Sequence, residues 1–111
     1  MRHKTLLDLV KMNVMSNEIK EELVKSVKDG YNILVSGGTQ AGKTTLLNAL
    51  LNEISPSQRV VTIEEVFELQ PRVPDSIQMQ TRSANLQGDG AISLRKLIKE
   101  ALRMRPARLV V

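Results

Sequence analysis

The residues best suited to chemistry lie in residues 35–51, which read VSGGTQAGKTTLLNALL. The pattern G-x-x-x-x-G-K-[ST] is matched there by Gly37, Gly42, Lys43 and Thr44. Glycines let backbone N–H groups converge on phosphate oxygens, and the N-terminus of the following helix adds a partial positive charge. The Lys43 ammonium would reach the β- and γ-phosphates, and the Thr44 hydroxyl would coordinate Mg²⁺. The stretch therefore predicts a phosphate-binding loop (P-loop) that holds ATP with Mg²⁺.

A nucleotide in this loop would touch a continuous run of residues. We predict contacts from Gly37, Gly38, Thr39, Gln40, Ala41, Gly42, Lys43, Thr44 and Thr45. The alternative is a glycine-rich turn that matches by chance, whereas a functional loop lies between a strand and a helix. The apolar run 32–36 predicts such a strand, and the leucine-rich run 43–53 predicts such a helix. This context favours the phosphate-binding interpretation.

Two adjacent carboxylates, Glu64 and Glu65, end a second predicted strand. Ligands of open α/β sheets bind at the carboxyl ends of the strands, so either carboxylate could orient or deprotonate an attacking water. One of the two could instead support Mg²⁺, so the predicted metal contacts are Thr44 and one of these glutamates. The alternative is an exposed acidic strand end, and Glu68 is interpreted as a surface charge.

The elements that must position these residues alternate along the chain. Ser16 or Asn17 caps a helix that ends at Gly30, and Ser93 caps a later helix that Pro106 ends. The later helix has a predicted apolar stripe of Leu94, Leu97, Ile98, Ala101 and Leu102. Alternation predicts an α/β domain with a largely parallel sheet. The predicted strands are 32–36, 59–65, 76–82 and one that begins at 108.

Length and composition set limits on the class of protein. With 111 residues, 41% of them hydrophobic and 25% charged, the chain fits one small globular domain. It has no cysteine, and His3 alone cannot build a zinc site. No apolar run approaches the ~20 residues that cross a bilayer. A soluble or membrane-peripheral protein is expected.

The formal charge of +4 is concentrated towards the end of the chain. From Arg82 onward seven basic residues face two acidic ones, so an anionic partner is one interpretation and a solvated helix face around Lys96 and Lys99 is the other. Charge alone also suggests a nucleic-acid binder. Tyr31 and Phe67 are the sole aromatic residues and no reading motif is recognisable, so we expect no specific nucleic-acid partner.

Several segments together carry a family resemblance. The segments NILVSGGTQAGKTTLLNALLNEI, RVVTIEEVFEL, TRSANLQGDGAISLRKLIKEALRMRP and ARLVV, in this order and spacing, resemble the motor domain of type II/IV secretion ATPases. The likeness is in particular to the CpaF-type ATPases of Tad (Flp) pilus assembly, and it spans about residues 5–111. It implies a RecA-like P-loop NTPase fold, a three-layer α/β sandwich with a mainly parallel sheet that is incomplete at the C-terminus. A leading helical segment, 1–30, would precede a nucleotide-binding core, 31–111.

The resemblance also implies roles for individual residues. TIEE, residues 62–65, resembles the family's acidic box, which gives Glu64 the main catalytic assignment and makes Glu65 a conservative departure from the usual aspartate. The arginines of the TR and LRMRP segments, Arg82, Arg103 and Arg105, would stabilise the negative charge of the γ-phosphate within or across subunits. For Arg103 and Arg105 the alternative is a favourable interaction with the dipole at a helix C-terminus. The implied catalytic set is Lys43, Glu64, Glu65, Arg82, Arg103 and Arg105.

At the level of the whole protein, the resemblance implies a homohexameric ATPase, cytoplasmic and peripheral to the inner membrane. It would power pilus assembly or secretion through an inner-membrane platform protein. The family's Gly-Glu Walker B, histidine box and N-terminal domain are absent here, and Ala107 replaces the usual aspartate after RP. We therefore expect a fragment that binds ATP weakly at most and hydrolyses little alone. The alternative is a non-catalytic nucleotide-binding or assembly module.

Overall fold

A computed structural model of the chain describes residues 4–37, 42–83 and 90–111. The chain forms two compact units: unit 1 is Met1–Ser55 with Leu69–Arg72, and unit 2 is Pro56–Glu68 with Val73–Val111. The elements in chain order are α1 (Leu6–Lys11), α2 (Asn17–Lys28), α3 (Lys43–Leu51), β1 (Val60–Glu64), β2 (Ser76–Gln80), α4 (Leu94–Leu102) and β3 (Arg108–Val110).

The first two helices of unit 1 are capped at their N-termini by side-chain hydrogen bonds. The Ser16 hydroxyl accepts from the N–H of Ile19, and Gly30 after α2 has φ 79°, so the predicted helix is confirmed. Helix α1 is a finding that sequence reasoning missed. The Thr5 hydroxyl accepts from the N–H of Asp8 while the Asp8 carboxylate accepts from the N–H of Thr5. This reciprocal box is the signal that could have revealed α1.

Aliphatic side chains from all three helices form the core of unit 1. The buried members of this cluster are Leu6, Leu9, Val27, Ala49 and Leu50. Val35, in the segment before α3, packs against the same cluster. At ~1.5–3 kcal/mol for each large apolar side chain removed from water, this burial is what holds three short helices together.

The predicted strand over residues 32–36 is wrong. Among the described residues of this segment, 31–37, none belongs to a helix or strand, and the Leu34 side chain is 91% exposed. A strand exists only where its N–H and C=O groups pair with a second strand. The described residues of unit 1 form helices and irregular segments, so the apolar run has no ladder to join there.

Unit 2 is built on a three-stranded parallel sheet in the order β2-β1-β3. The central strand places Val60 opposite Ser76 on one side and opposite Arg108 on the other. The predicted strands 59–65, 76–82 and the one from 108 are thereby confirmed, as is the α/β class with a parallel sheet. Parallel neighbours bring the carboxyl ends of β1 and β2 to the same edge.

Helix α4 covers one face of this sheet. Its Ser93 cap accepts from the N–H of Lys96, as predicted. Leu97 and Ala101 are buried in one cluster with Val61 and Ile63 of β1. The two ends of the predicted stripe project past this contact: Leu94 is 42% exposed and Leu102 is 62% exposed. Within the described residues, no helix has both the length and the apolar character that crossing a bilayer requires.

Candidate nucleotide-binding site

The described part of the phosphate loop is its second half. Gly42 has φ 88° and is the N-cap of α3, whose first residue is Lys43. Lys43 and Thr44 are half-buried on the first turn, and Thr45 is exposed. The helix after the loop is therefore as predicted, whereas the strand before it is absent from residues 31–37. The predicted contacts Gly38, Thr39, Gln40 and Ala41 lie outside the described residues.

The N-terminus of α3 differs from those of the other described helices. Thr5, Ser16 and Ser93 each place a hydroxyl oxygen on the first turn of their helix, whereas Gly42 offers no side-chain cap. A Cβ at Gly42 would meet no atom within 4 Å, so the glycine is required by its left-handed backbone and not by lack of space. An α3 start without a capping oxygen leaves the positive end of the helix dipole for an external anion.

Glu64 is held in a fixed orientation at the end of β1. Its Oε1 accepts from the N–H of Glu68 at 2.9 Å, and its Oε2 accepts from the Thr62 hydroxyl at 3.2 Å. A carboxylate offers about four lone-pair sites in all, so it can accept more than two hydrogen bonds. The neighbouring Glu65 is exposed, and its carbonyl accepts from the Gln80 side chain at 2.9 Å. Glu64 is thus the better-ordered carboxylate of the pair.

Arg82 lies at the same edge of the sheet as Glu64. The N–H of Thr81 donates to the Glu64 carbonyl at 2.9 Å, and Arg82 then pairs with Ile92 in an isolated antiparallel bridge. Sequence reasoning missed the role of Gly90 beside it. Gly90 has φ 85°, and a Cβ there would lie 3.3 Å from Cζ and Nη2 of Arg82. The glycine therefore gives both the turn and the room for the guanidinium, and residues 84–89 lie outside the described residues.

Arg103 and Arg105 lie at the opposite edge. The N–H groups of Ala107 and Arg108 donate to the carbonyl of Arg59, the residue before β1, at 2.9 and 3.1 Å. The Arg59 guanidinium also donates to the Met104 carbonyl. These bonds fix the end of α4 at the amino edge of the sheet. Glu64 lies at the other edge, at the far end of the five-residue strand β1, in which each residue adds ~3.3 Å.

These two arginines have surroundings of their own at that edge. Arg103 is the C-cap of α4 and pairs with Glu100 at 3.5 Å, and Arg105 is exposed with φ 51°. The structure brings Arg82 to the edge of Glu64 but not Arg103 or Arg105.

A magnesium site made of protein ligands alone does not occur in the described residues. No group of three or more His, Asp or Glu side chains in residues 4–37, 42–83 and 90–111 could hold a metal. Nucleotide sites usually bind Mg²⁺ through one or two side chains together with the phosphates. The Thr44 hydroxyl and the Glu64 carboxylate are each oxygen donors of the kind that this ion prefers. Their joint use as metal contacts stays a prediction.

The whole chain matches one known family. The family described as "Type II/IV secretion system protein" matches residues 1–111. The chain belongs to this family. Among its relatives, a putative conjugal transfer protein of Mycobacterium tuberculosis is 51% identical over 78 residues, which are 70% of this chain and 22% of that protein.

Other relatives extend the comparison to secretion proteins. The type IV secretion system protein VirB11 of Bartonella quintana is 39% identical over 80% of this chain and 25% of its own length. A probable conjugal transfer protein, TrbB, of Sinorhizobium fredii is 32% identical over 94% of this chain and 31% of its own. The chain thus spans roughly a quarter of the length of these secretion-family relatives.

A solved structure supports the fold. The VirB11 ATPase from the Brucella suis type IV secretion system, in complex with sulphate, superimposes with a TM-score of 0.69 and 30% identity. It covers 94% of this chain, which corresponds to 28% of that structure. The type II/IV resemblance read from the sequence is confirmed, and the narrower likeness to CpaF-type proteins stays a prediction.

Proposed function

We propose that this chain is the nucleotide-binding part of an ATP-driven motor that powers pilus assembly or protein secretion. One observation supports this most directly. In a chain of the secretion family, the second glycine of the G-x-x-x-x-G-K-[ST] motif, Gly42, has a left-handed backbone and starts α3 without a side-chain cap. A helix start of this kind suits a phosphate group.

Most of the predicted residues then receive a role in phosphate chemistry. Backbone N–H groups of residues 37–45 cradle the phosphates while Lys43 neutralises charge on the β- and γ-phosphates. Bound Mg²⁺ would supply further charge neutralisation, with Thr44 and Glu64 as its protein contacts. Glu64, oriented by Thr62, would position the attacking water. Arg82, which lies at the same edge of the sheet as Glu64, would stabilise negative charge on the γ-phosphate.

Arg103 and Arg105 receive a different role in this proposal. Their position at the amino edge argues against action at the Glu64 edge of their own unit, so contact with phosphate would occur across subunits of a homohexamer. Helix-dipole complementarity is the alternative for Arg103, which caps α4. We further propose a CpaF-like protein, cytoplasmic and peripheral to the inner membrane, that engages a platform protein and no specific nucleic acid.

Isothermal titration with Mg-ATP tests the binding step. The 111-residue chain should bind weakly, and Lys43→Ala should reduce affinity by about 100-fold because a charge-assisted contact to two phosphates is lost. The exposed lysine of α2, changed as Lys28→Ala, should leave affinity unchanged. Equal binding by the wild-type chain and Lys43→Ala would contradict the proposal.

Phosphate release by the isolated chain tests the expected lack of turnover. We expect little hydrolysis from these 111 residues alone. Robust turnover that Lys43→Ala abolishes would show that this expectation is wrong, while supporting the nucleotide site itself.

The second candidate is a nucleotide-binding module without catalysis. It is favoured by one observation: both carboxylate oxygens of Glu64 already accept hydrogen bonds inside unit 2. Glu64→Gln in the oligomeric protein separates the two candidates. A motor should lose about 10²–10³-fold in kcat with ATP affinity kept, as happens when a general base is removed. A binding module should show no change in a turnover that is already at background.

A further inference from the structure

Arg105 in unit 2 has a left-handed backbone, with φ 51°. The residues with positive φ in the described ranges are Asn13, Gly30, Gly42, Gly90 and Arg105. Glycine adopts this conformation readily and asparagine tolerates it, whereas a long side chain disfavours it. Pro106 follows, and a residue before proline favours extended backbone instead. Arginine is therefore a residue type that the local backbone disfavours at this position.

Arg59 holds the backbone on both sides of Arg105. Its guanidinium donates to the carbonyl of Met104, the residue immediately before Arg105. Its own carbonyl accepts from the N–H groups of Ala107 and Arg108, at 2.9 and 3.1 Å. One residue thus fixes the chain before and after Arg105, which keeps the left-handed backbone in place.

Asp75 sets the direction of the Arg59 guanidinium. Its Oδ2 accepts from Nε of Arg59 at 2.9 Å. A guanidinium is planar and its donors point in fixed directions, so a bond at Nε also sets where Nη1 donates, here to the Met104 carbonyl. The side chains of Arg59 and Asp75 are 42% and 51% exposed, and a pair this exposed adds little to stability. The main effect of Asp75 is therefore on orientation.

We propose that Arg59, oriented by Asp75, is a positioning residue that holds Arg105 ready to contact the γ-phosphate bound by a neighbouring subunit. The inference rests on the proposed function, which gives Arg105 that contact. Disfavoured backbone is typical of functional sites, where surrounding bonds maintain a conformation that the residue alone would leave. Arg105 is also exposed, as contact with another subunit requires.

Two substitutions at Arg105 test the strain. Arg105→Ala and Arg105→Gly both remove the guanidinium, but glycine adopts positive φ freely and alanine does not. Thermal unfolding of the 111-residue chain should therefore give a melting temperature about 3 °C higher for Arg105→Gly than for Arg105→Ala. An equal or lower melting temperature for Arg105→Gly would mean that the backbone is not strained there, which would overturn the inference.

A double substitution in the oligomeric protein tests the positioning role. Arg105→Ala should lower kcat for ATP about 10³-fold with KM little changed, because the contact forms in the transition state. Arg59→Ala should lower kcat about 10²-fold, the effect of a misplaced group. The double variant should be no slower than Arg105→Ala alone, since Arg59 acts through Arg105. Asp75→Asn keeps an acceptor oxygen for Arg59 and should retain most of the turnover that Asp75→Ala loses.

Arg95→Ala is the matched control, because Arg95 is an exposed arginine of α4 that has no place in the proposed site. It should leave kcat unchanged. Size-exclusion chromatography should show that every variant still forms the oligomer.

Three results would overturn the inference. If the losses of Arg59→Ala and Arg105→Ala multiply to about 10⁵-fold in the double variant, Arg59 acts independently of Arg105. If Arg105→Ala keeps the turnover that Lys43→Ala abolishes, Arg105 does not contact phosphate although the proposed function stands. If the wild-type oligomer hydrolyses no ATP, or Lys43→Ala hydrolyses it normally, the proposed function fails and the inference fails with it.

Discussion

Two apolar, β-branched segments of this chain have opposite fates. Residues 60–64 form the centre of a parallel sheet in unit 2, with Val60, Val61 and Thr62 fully buried. Residues 32–36 of unit 1 form no strand, and Leu34 is almost fully exposed. In unit 2 two neighbouring strands are present to pair with β1, whereas the described part of unit 1 contains helices. The difference teaches that an apolar run becomes a strand only where partner strands meet its backbone groups.

The largest loss of stability should come from a substitution in residues 60–64, the segment that pairs with two strands. Ile63 is 2% exposed and lies in one cluster with Leu97 and Ala101, so Ile63→Ala should lower the free energy of unfolding by about 2–5 kcal/mol. Urea unfolding of the chain, followed by circular dichroism, measures this loss. A change below about 0.5 kcal/mol, as at surface sites, would mean that β1 is not central.

A smaller effect should come from the amide that ties residues 69–72 to α3. The Asn48 Oδ1 accepts from the N–H of Gln70 at 2.7 Å, and Asn48 is 4% exposed. Asn48→Ala should cost about 1–3 kcal/mol because it leaves a partly buried donor without its partner. Asn48→Asp keeps the acceptor oxygen and should recover part of the loss in the same urea experiment. Equal losses in the two variants would rule out the hydrogen bond as the cause.

The N-cap serines of α2 and α4 should contribute equally to the free energy of unfolding. The hydroxyls of Ser16 and Ser93 make the same bond, at 3.2 and 3.1 Å, to the first turn of α2 and α4. Each change to alanine should cost about 1 kcal/mol, and each change to glycine a few tenths. Urea midpoints of the four variants check this. If one serine substitution lowers the urea midpoint and the other does not, the two helices do not depend equally on their N-cap hydrogen bonds.

The smallest loss of stability should come from a substitution in residues 32–36, the segment that forms no strand. Leu34→Ala removes a side chain that is 91% exposed and should change the free energy of unfolding by less than about 0.5 kcal/mol. Val35→Ala is the neighbouring comparison, since Val35 packs on the unit 1 core. The same urea experiment should show a larger loss for Val35→Ala. A Leu34→Ala loss as large as that of Ile63→Ala would restore the buried-strand interpretation.

Sequence reasoning succeeded where local rules were enough. The Ser16 and Ser93 caps and the apolar spacing at Leu97 and Ala101 gave two helices close to their observed bounds. The strands of unit 2 followed from β-branched runs that had partners. Sequence reasoning failed at residues 32–36, because pairing is a property of the whole sheet, and it missed α1, whose six residues give a weak periodic signal.

For the candidate site, the sequence predicted the start of α3 at Gly42 and Lys43, whereas the binding of nucleotide there stays a prediction. The G-x-x-x-x-G-K-[ST] motif identified Gly42 and Lys43 because each residue type there has a separate physical requirement. Sequence could not place Arg103 and Arg105 at the edge opposite Glu64, since that position depends on the path of α4 and on the bonds from Arg59. Nor could it reveal Gly90 as a neighbour of Arg82, because a contact between side chain and backbone leaves no periodic trace.

The path of the chain through the two units has a consequence for limited proteolysis. Unit 1 takes residues 69–72 from the middle of unit 2, so the backbone passes from one unit to the other at three places. A single protease cut after Ser55 would leave the second fragment with a piece of unit 1 still bonded to Asn48. Neither unit can therefore be released whole by one cleavage, and a nicked chain should migrate as a non-covalent pair of fragments until denaturant separates them.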